Sequence, residues 1–106
     1  MDLVFEVYKL TSYLPKEETY GLKDQMRRSA VSIPCNIAEG QARNSEKDFV
    51  RFLYIAQGSR AELETQTEIC VRLHYFSQDQ VILAENLSSE TGKMIRSLIG
   101  TLKQSS

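Results

Sequence analysis

The stretch QMRRSAVSIPCNIAEGQARNSEKDFVRFLYIAQGSRAEL, which runs from Gln25 to Leu63, decides the fold of this chain. When residues are placed about 100° apart around a helix axis, apolar side chains gather on one side of a helix that begins near Leu22. This core stripe consists of Leu22, Met26, Ala30, Ile33 and Ile37. Such a stripe is typical of a helix that packs in a bundle.

A second stripe on the same helix is polar and is centred about 120° from the core stripe. Its members are Gln25, Arg28, Ser32, Asn36, Glu39 and Arg43. These groups can hydrogen-bond to one another in a partly buried seam, which Ser59 and Glu62 of the next helix would join. We therefore predict a buried or interfacial polar network in which Arg28 neutralises Glu39 or Glu62. A solvated flank and a nucleic-acid contact strip are the two alternatives.

Pro34 lies inside this second helix. It removes a backbone hydrogen bond to Ala30, at a cost of about 3 kcal/mol. The core stripe keeps its phase from Ile33 to Ile37, which favours one helix kinked at Pro34 over two short helices. Gly40 is predicted to end the helix in the left-handed conformation.

Helix 3 is predicted from Glu46 to Tyr75, with Ser45 and Asp48 as a capping pair at its start. Its core stripe consists of Phe49, Phe52, Leu53, Ala56, Leu63 and Cys70. Gly58 costs roughly 1 kcal/mol in mid-helix, so we expect another backbone to approach it closely. Further stripes carry Arg51, Ile55, Gly58, Glu62 and Ile69 on one side and Val50, Tyr54 and Ala61 on another. Apolar residues on three sides predict contact with a neighbouring subunit.

The two outer helices complete the bundle. Helix 1 is predicted from Asp2 to Leu14, with a core stripe of Leu3, Val7, Leu10 and Leu14 and with Phe5 on the opposite side. Helix 4 follows a capping box at Ser77 and Gln80, and its core stripe is Val81, Ala84, Leu87, Thr91, Ile95, Leu98 and Leu102. Short connections predict an all-α, antiparallel up-and-down four-helix bundle that forms a single domain over residues 1–106.

The run GLKDQMRRSAVSIPCNIAEG, followed by DFVRFLYIAQGSRAELE, resembles the 23S rRNA intervening-sequence protein family, also called the S23-type family. The resemblance covers roughly Tyr8 to Cys70. It implies a four-helix bundle that commonly assembles as a homopentamer, in proteins often encoded inside insertions of bacterial 23S rRNA genes. A related branch resembles the accessory protein of diversity-generating retroelements, which binds nucleic acid and reverse transcriptase. Compared with the family pattern, helix 1 starts late.

Charge is polarised along the chain although the net charge is only −1. From Gly21 to Arg60, seven basic residues stand against four acidic ones, whereas from Ala61 onward four basic residues stand against six acidic ones. The balance argues against a protein whose whole surface attracts nucleic acid. The candidate phosphate contacts are Lys23, Arg27, Arg43 and Lys47.

The residues that catalysis would require are scarce. Cys35 and Cys70 lack the spacing of a zinc site, and His74 belongs to no motif. No E-x-x-H motif of a di-iron bundle and no phosphate-binding loop is present. We expect no enzyme activity, no metal and no cofactor. The chain opens with an amphipathic helix and contains no apolar run of membrane-spanning length, so we expect a cytoplasmic protein.

Two functions are compatible with these features of the sequence. The first is an oligomeric module that binds RNA or a ribosome-related particle through basic side chains. The second is a structural or scaffold oligomer that contacts a protein partner through its apolar flank. Only the first predicts an affinity for nucleic acid that falls steeply with salt.

Overall fold

A computed structural model describes residues 1–105, and its side chains up to Gln104. Four helices account for most of the chain: α1 (Asp2–Thr11), α2 (Leu22–Gln41), α3 (Glu46–Arg72) and α4 (Gln78–Ser105). A single 3₁₀ turn at Lys16–Glu18 connects α1 to α2. This architecture confirms the predicted all-α four-helix bundle. Among the described residues, none of the helices combines the length and apolar character that a bilayer crossing requires.

Each helix packs on the helix that follows it, and α1 also packs on α4, which closes the bundle. Among the described residues, the diagonal pairs, α1 with α3 and α2 with α4, have no Cα atoms within 8 Å of each other. The contact between α2 and α3 is the most extensive of the four. The bundle is elongated, with extents of 47 × 24 × 19 Å.

The predicted stripes form one continuous core. All four residues of the stripe predicted for helix 1 are buried, including Leu14, which follows the end of α1, and so are Met26, Ala30 and Ile33 of α2. On α3 the buried stripe runs from Phe52 through Leu53, Ala56 and Leu63 to Cys70, with Ser59 and Thr67 buried among them. The Cys70 Sγ lies 3.7 Å from the Met26 Sδ. Because the helices bury the faces that the sequence periodicity marks, hydrophobic burial determines how they pack.

The helix termini follow local chemistry. Ser45 caps α3 by accepting a hydrogen bond from the Asp48 backbone N–H at 3.1 Å. Ser77 and Gln80 form the predicted capping box, with distances of 2.8 and 3.2 Å. Both α1 and α3 end three residues earlier than predicted, at Thr11 and Arg72. The α2 helix is continuous through Pro34, and a kink there remains a prediction.

Two glycines have roles other than those predicted. Gly40 does not end α2 in a left-handed conformation: the helix continues to Gln41, and no described glycine has a positive φ. Instead, a Cβ at Gly40 would lie 2.9 Å from both the Phe49 Cδ1 and the Phe52 Cβ, so its missing side chain lets α3 pack closely. The close approach of another backbone predicted at Gly58 is absent within the described residues, because nothing lies within 4 Å of the position of its missing Cβ.

Candidate nucleic-acid and assembly surfaces

The centre of the predicted polar seam is a small hydrogen-bonded cluster between α2 and α3. The Ser32 and Ser59 hydroxyl oxygens lie 2.8 Å apart. The Asn36 amide Nδ2 donates to the backbone oxygen and to the hydroxyl of Ser32, each at 2.8 Å. The cluster is only partly buried, and it offers polar atoms along the line where the two helices meet.

The charged members of the stripe do not enter this cluster. Arg28 donates to the Asp24 carboxylate at 2.9 Å, and these side chains are 79% and 45% exposed. The predicted neutralisation of Glu39 or Glu62 by Arg28 is therefore wrong within the chain, because Asp24 lies one helical turn away and needs no burial to pair.

The remaining stripe residues lie on the surface. Arg43 pairs loosely with Glu39 at 3.8 Å, and both side chains are about half exposed. Gln25 and Glu62 are also exposed. Nearby on α3, the buried Gln66 Oε1 has no hydrogen-bond donor among the described residues. The chain by itself thus completes only the Ser32, Asn36 and Ser59 part of the predicted network.

Arg27, a candidate phosphate contact on α2, forms hydrogen bonds to α1. Its Nε donates to the Thr11 hydroxyl at 2.8 Å, and its Nη2 donates to the Tyr8 carbonyl at 3.1 Å. Its guanidinium also stacks on the Tyr8 ring, 4.4 Å from the centroid. A guanidinium with these three contacts has little freedom to turn toward a phosphate.

The four candidate phosphate contacts do not form one patch. Lys23 and Arg27 lie in the first half of α2, whereas Arg43 and Lys47 lie in and just after the connection to α3. At 1.5 Å per residue, the sixteen residues from Arg27 to Arg43 correspond to roughly 24 Å along the bundle. Lys23 and Arg27 are half-buried, while Arg43 and Lys47 are exposed.

The exposed residues Arg43 and Lys47 lie near Arg51, and we call these three residues the α2–α3 basic cluster. The guanidiniums of Arg43 and Arg51 lie over the Phe52 ring, 5.0 and 4.5 Å from its centroid. Stacking on an aromatic ring orients a guanidinium and leaves its N–H groups available to an anion. Sequence reasoning had assigned Arg51 to assembly alone, although its position next to Phe52 was visible in the sequence.

A charged network between α3 and α4 was missed entirely. The Arg60 side chain is 15% exposed and pairs with the Glu64 carboxylate through its Nη1. Its Nε donates to the Gln57 Oε1 at 2.8 Å, and Ser88 donates to Glu64 at 3.0 Å. A Cβ at Gly92 would lie 2.6 Å from the Arg60 Cζ, so this glycine makes room for the guanidinium. The mid-helix glycine was the sequence signal for this network.

Two titratable groups among the described residues have a raised pKa. Burial, with Glu18 contributing, raises the pKa of the Cys70 thiol to about 11. A hydrogen bond from the Tyr75 hydroxyl to Glu18, 2.9 Å long, raises the pKa of that phenol. Within residues 1–105, no group of three or more metal-ligating side chains could hold an ion. The buried thiol is protonated at neutral pH and is a weak nucleophile.

A closed four-helix bundle with a partly buried polar cluster between α2 and α3 defines the general class of this protein. The family model described as "23S rRNA-intervening sequence protein" matches residues 1–97. The chain therefore belongs to the 23S rRNA-intervening sequence protein family, and that description names no enzymatic activity. No curated protein matches the chain.

One solved structure extends the comparison to the fold. It is a crystal structure of a protein of unknown function from the S23 ribosomal protein family of Bacteroides thetaiotaomicron VPI-5482. This chain is 29% identical to it, with a TM-score of 0.84 and with 92% of each chain covered. The similarity over nearly the whole length supports the bundle and the family assignment together.

Proposed function

We propose that this protein is a non-enzymatic cytoplasmic oligomer that binds RNA or a ribonucleoprotein at the end of the bundle where α2 meets α3. The observation that carries the proposal is the α2–α3 basic cluster, in which two guanidiniums share the Phe52 ring beside the exposed Lys47. Side chains of this kind contact phosphates without reading base identity. The family description, which names 23S rRNA, supports RNA as the ligand.

The charge balance explains why an oligomer is part of the proposal. Glu39, Glu46 and Asp48 lie close in sequence to the basic cluster and offset its three positive charges. A single copy then attracts RNA only weakly, because phosphate binding depends on net positive charge at the contact. A symmetric assembly repeats the cluster and lets one RNA touch several copies. The number five comes from the family resemblance.

The candidate contacts divide by role under this proposal. Arg43 and Lys47 would contact phosphates, since both are exposed at the α2–α3 end. Arg27 serves mainly to hold α1 on α2 through its contacts with Thr11 and Tyr8. Lys23 lies on the same half of α2 as Arg27, so it would contact only RNA that extends along the bundle.

Light scattering followed by RNA titration of the same sample tests this function. We expect an oligomer whose affinity for RNA falls between low and moderate salt. The double variant Arg43→Ala/Lys47→Ala should bind more weakly, and its salt slope should be lower by about 0.7 for each phosphate of a single-stranded RNA that it no longer neutralises. Lys16→Ala is the matched control, because Lys16 is exposed on the 3₁₀ turn, away from the cluster. Equal binding by the parent and the double variant would contradict the proposed site.

A scaffold that contacts a protein partner is the second candidate function. The observation that favours it is the set of exposed apolar side chains on α3 and at its end: Ile55, Ile69 and Leu73. This function predicts an oligomer that binds no RNA at any salt concentration. The same titration therefore separates the two candidates.

A further inference from the structure

Two helices carry exposed apolar side chains that the chain itself leaves uncovered. On α1, Phe5 is 68% exposed and lies on the side away from the buried residues of that helix. On α3, Ile55 and Ile69 are 41% and 40% exposed. Large apolar side chains clustered on one face are characteristic of protein interaction sites.

Phe5 and Ile55 each lie within a regular stripe, and Ile69 continues the α3 stripe seven residues after Glu62. The α1 outer stripe is Asp2, Phe5 and Lys9, at spacings of three and four residues. The α3 outer stripe is Arg51, Ile55, Gly58 and Glu62, at spacings of four, three and four. Such spacings keep side chains on one face of a helix. Each stripe can therefore lie along another helix.

One copy cannot join its own two stripes. The α1 and α3 helices occupy diagonal corners of the bundle, with no Cα atoms within 8 Å of each other among the described residues, and their outer stripes point away from the shared core. An encounter between the two stripes therefore requires a second copy of this chain. Such a contact is head-to-tail, because it uses a different surface on each partner.

The charges of the two stripes are complementary in one orientation. Along the chain, the α1 stripe reads acidic, apolar, basic, and the α3 stripe reads basic, apolar, acidic. Within the described residues, Asp2, Lys9 and Glu62 form no ion pair in their own chain. If the two helices run parallel with Phe5 level with Gly58, Lys9 lies level with Glu62 of the neighbour, and Asp2 lies about one turn from its Arg51, within reach of that long side chain. If they run antiparallel, like charges meet, which is unfavourable.

The surface of the α3 stripe also suits an aromatic ring. Nothing lies within 4 Å of the absent Cβ of Gly58, so a side chain from outside can reach the helix backbone there. Phe5, in the middle of the α1 stripe, supplies a large apolar side chain at the matching place.

We propose that the α1 outer stripe of one copy packs in parallel on the α3 outer stripe of the next copy, with Phe5 over Gly58. The first and third helices of an up-and-down bundle run in the same direction, so rotation about an axis along the bundle makes every such contact parallel. Repetition of this contact closes a ring. The proposal rests on the oligomer of the proposed function and adds which two faces form it.

Mixing two variants tests this contact. Phe5→Glu damages only the α1 stripe, and Ile55→Glu damages only the α3 stripe. Both side chains are exposed, so helicity by circular dichroism should match that of the parent. We expect each variant alone to be a monomer in light scattering, and an equimolar mixture to form a complex of twice the monomer mass through the one intact pair of faces. Leu83→Glu is the control, since Leu83 is 52% exposed on α4 and should leave the parental mass unchanged.

Other outcomes overturn the proposal in distinguishable ways. If Phe5→Glu keeps the parental mass while Ile55→Glu is monomeric, α3 packs on itself and the contact is not head-to-tail. If both variants are monomeric and remain so when mixed, the two faces are not partners. If both keep the parental mass, neither face is used. If the unmutated protein is a monomer in light scattering, the assembly in the proposed function is wrong as well. The RNA titration tests RNA binding independently of this result.

A charge exchange tests the orientation. Lys9→Glu and Glu62→Lys should each lower the oligomeric mass at a fixed protein concentration, because each places like charges opposite one another. The double variant Lys9→Glu/Glu62→Lys should recover the parental mass, since it restores opposite charges across the contact. A double variant that associates no better than the weaker single variant would exclude the parallel orientation.

Discussion

The two faces of α3 are held to their neighbours by different means. Toward α2, small residues allow direct packing: Gly40 lies beneath Phe49 and Phe52, and two serine hydroxyls meet at 2.8 Å. Toward α4, the bulky charged side chain of Arg60 occupies the space left at Gly92. Beside Arg60 there is a groove of about 570 Å³ between α3 and α4, lined in part by the carboxylates of Glu64, Glu68 and Glu85.

This difference shows what each contact depends on. The α2–α3 contact depends on van der Waals fit, which fails when an atom is added. The α3–α4 contact adds hydrogen bonds and an ion pair at the edge of solvent to its buried apolar residues, and a side chain displaced there can move into water. The same chemical change should therefore have unequal consequences at the two contacts.

The addition of one methyl group at Gly40 should have the largest effect. Gly40→Ala places a Cβ 2.9 Å from the Phe52 Cβ, which is attached directly to the α3 backbone. The helices must separate, and we expect a loss of about 2 kcal/mol in the free energy of unfolding by urea, after a gain of up to about 1 kcal/mol in helix propensity. Unfolding is compared at one protein concentration because association contributes to stability.

The matched changes are Gly92→Ala and Gly100→Ala. Gly92→Ala displaces the flexible end of Arg60 and should lower the free energy of unfolding by about 1 kcal/mol, less than Gly40→Ala. At Gly100 nothing lies within 4 Å of the added Cβ, so Gly100→Ala should stabilise α4 by up to about 1 kcal/mol. If Gly40→Ala and Gly92→Ala were equally costly, the distinction between the two contacts would fail.

Removal of the charged side chain between α3 and α4 should have the second largest effect. Arg60→Ala leaves Gln57 and Glu64 without their partner and empties the space beside Gly92. We expect a loss of about 1 to 3 kcal/mol in the free energy of unfolding. Arg72→Ala is the control, because Arg72 is 78% exposed in its pair with Glu68 and should change stability by less than about 0.5 kcal/mol. Similar values for the two variants would mean that Arg60 does not hold α4 in place.

The periodicity of the sequence was sufficient to predict which apolar residues pack between the helices. The core stripes of α1, α2 and α3 pack as predicted because burial of regularly spaced apolar residues leaves few alternatives. The capping pairs at Ser45 and Ser77 were equally predictable, since a cap involves only residues within one turn. These features depend on residues that lie near one another in the chain.

The partners of charged groups could not be predicted in this way. Arg28 pairs with Asp24 rather than across the helices, and Arg27 turns toward α1 rather than toward solvent. Long flexible side chains choose among several partners of similar energy, and the choice depends on the distance between helix axes. The Arg60 network was missed for the same reason, because Gly92 explains it only after α3 and α4 are placed together.

A smaller effect distinguishes the neighbouring residues Arg27 and Arg28. The sequence placed Arg28 in a buried polar network and Arg27 among the phosphate contacts, but the contacts indicate that Arg27 contributes more to stability than Arg28. Arg27→Ala removes two hydrogen bonds and a stack on Tyr8, so it should cost about 1 kcal/mol. Arg28→Ala removes one exposed ion pair and should cost less than about 0.5 kcal/mol. Urea denaturation measures the free energy of unfolding of both variants. If Arg28→Ala lowered it more than Arg27→Ala in the monomer, the interpretation of Arg28 as part of a buried network would be supported.

The smallest effect is expected at the end of α3, in the connection to α4. His74 has a φ of 63°, the left-handed region, and is exposed. Its neighbours complete the helix end: the Tyr75 N–H donates to the Cys70 carbonyl at 2.9 Å, and the His74 N–H donates to the Val71 carbonyl at 3.0 Å. A side chain with a Cβ is strained in this conformation, which glycine adopts freely.

His74→Gly should therefore raise the free energy of unfolding by about 0.5 to 1 kcal/mol, despite the entropy that glycine adds to the unfolded chain. His74→Ala keeps the strain and should give no gain, so the difference between the two variants isolates the backbone conformation from the loss of the imidazole. If both variants raised stability equally, the imidazole itself would be unfavourable. A gain confined to glycine would show that the left-handed backbone at His74 is strained in the folded protein.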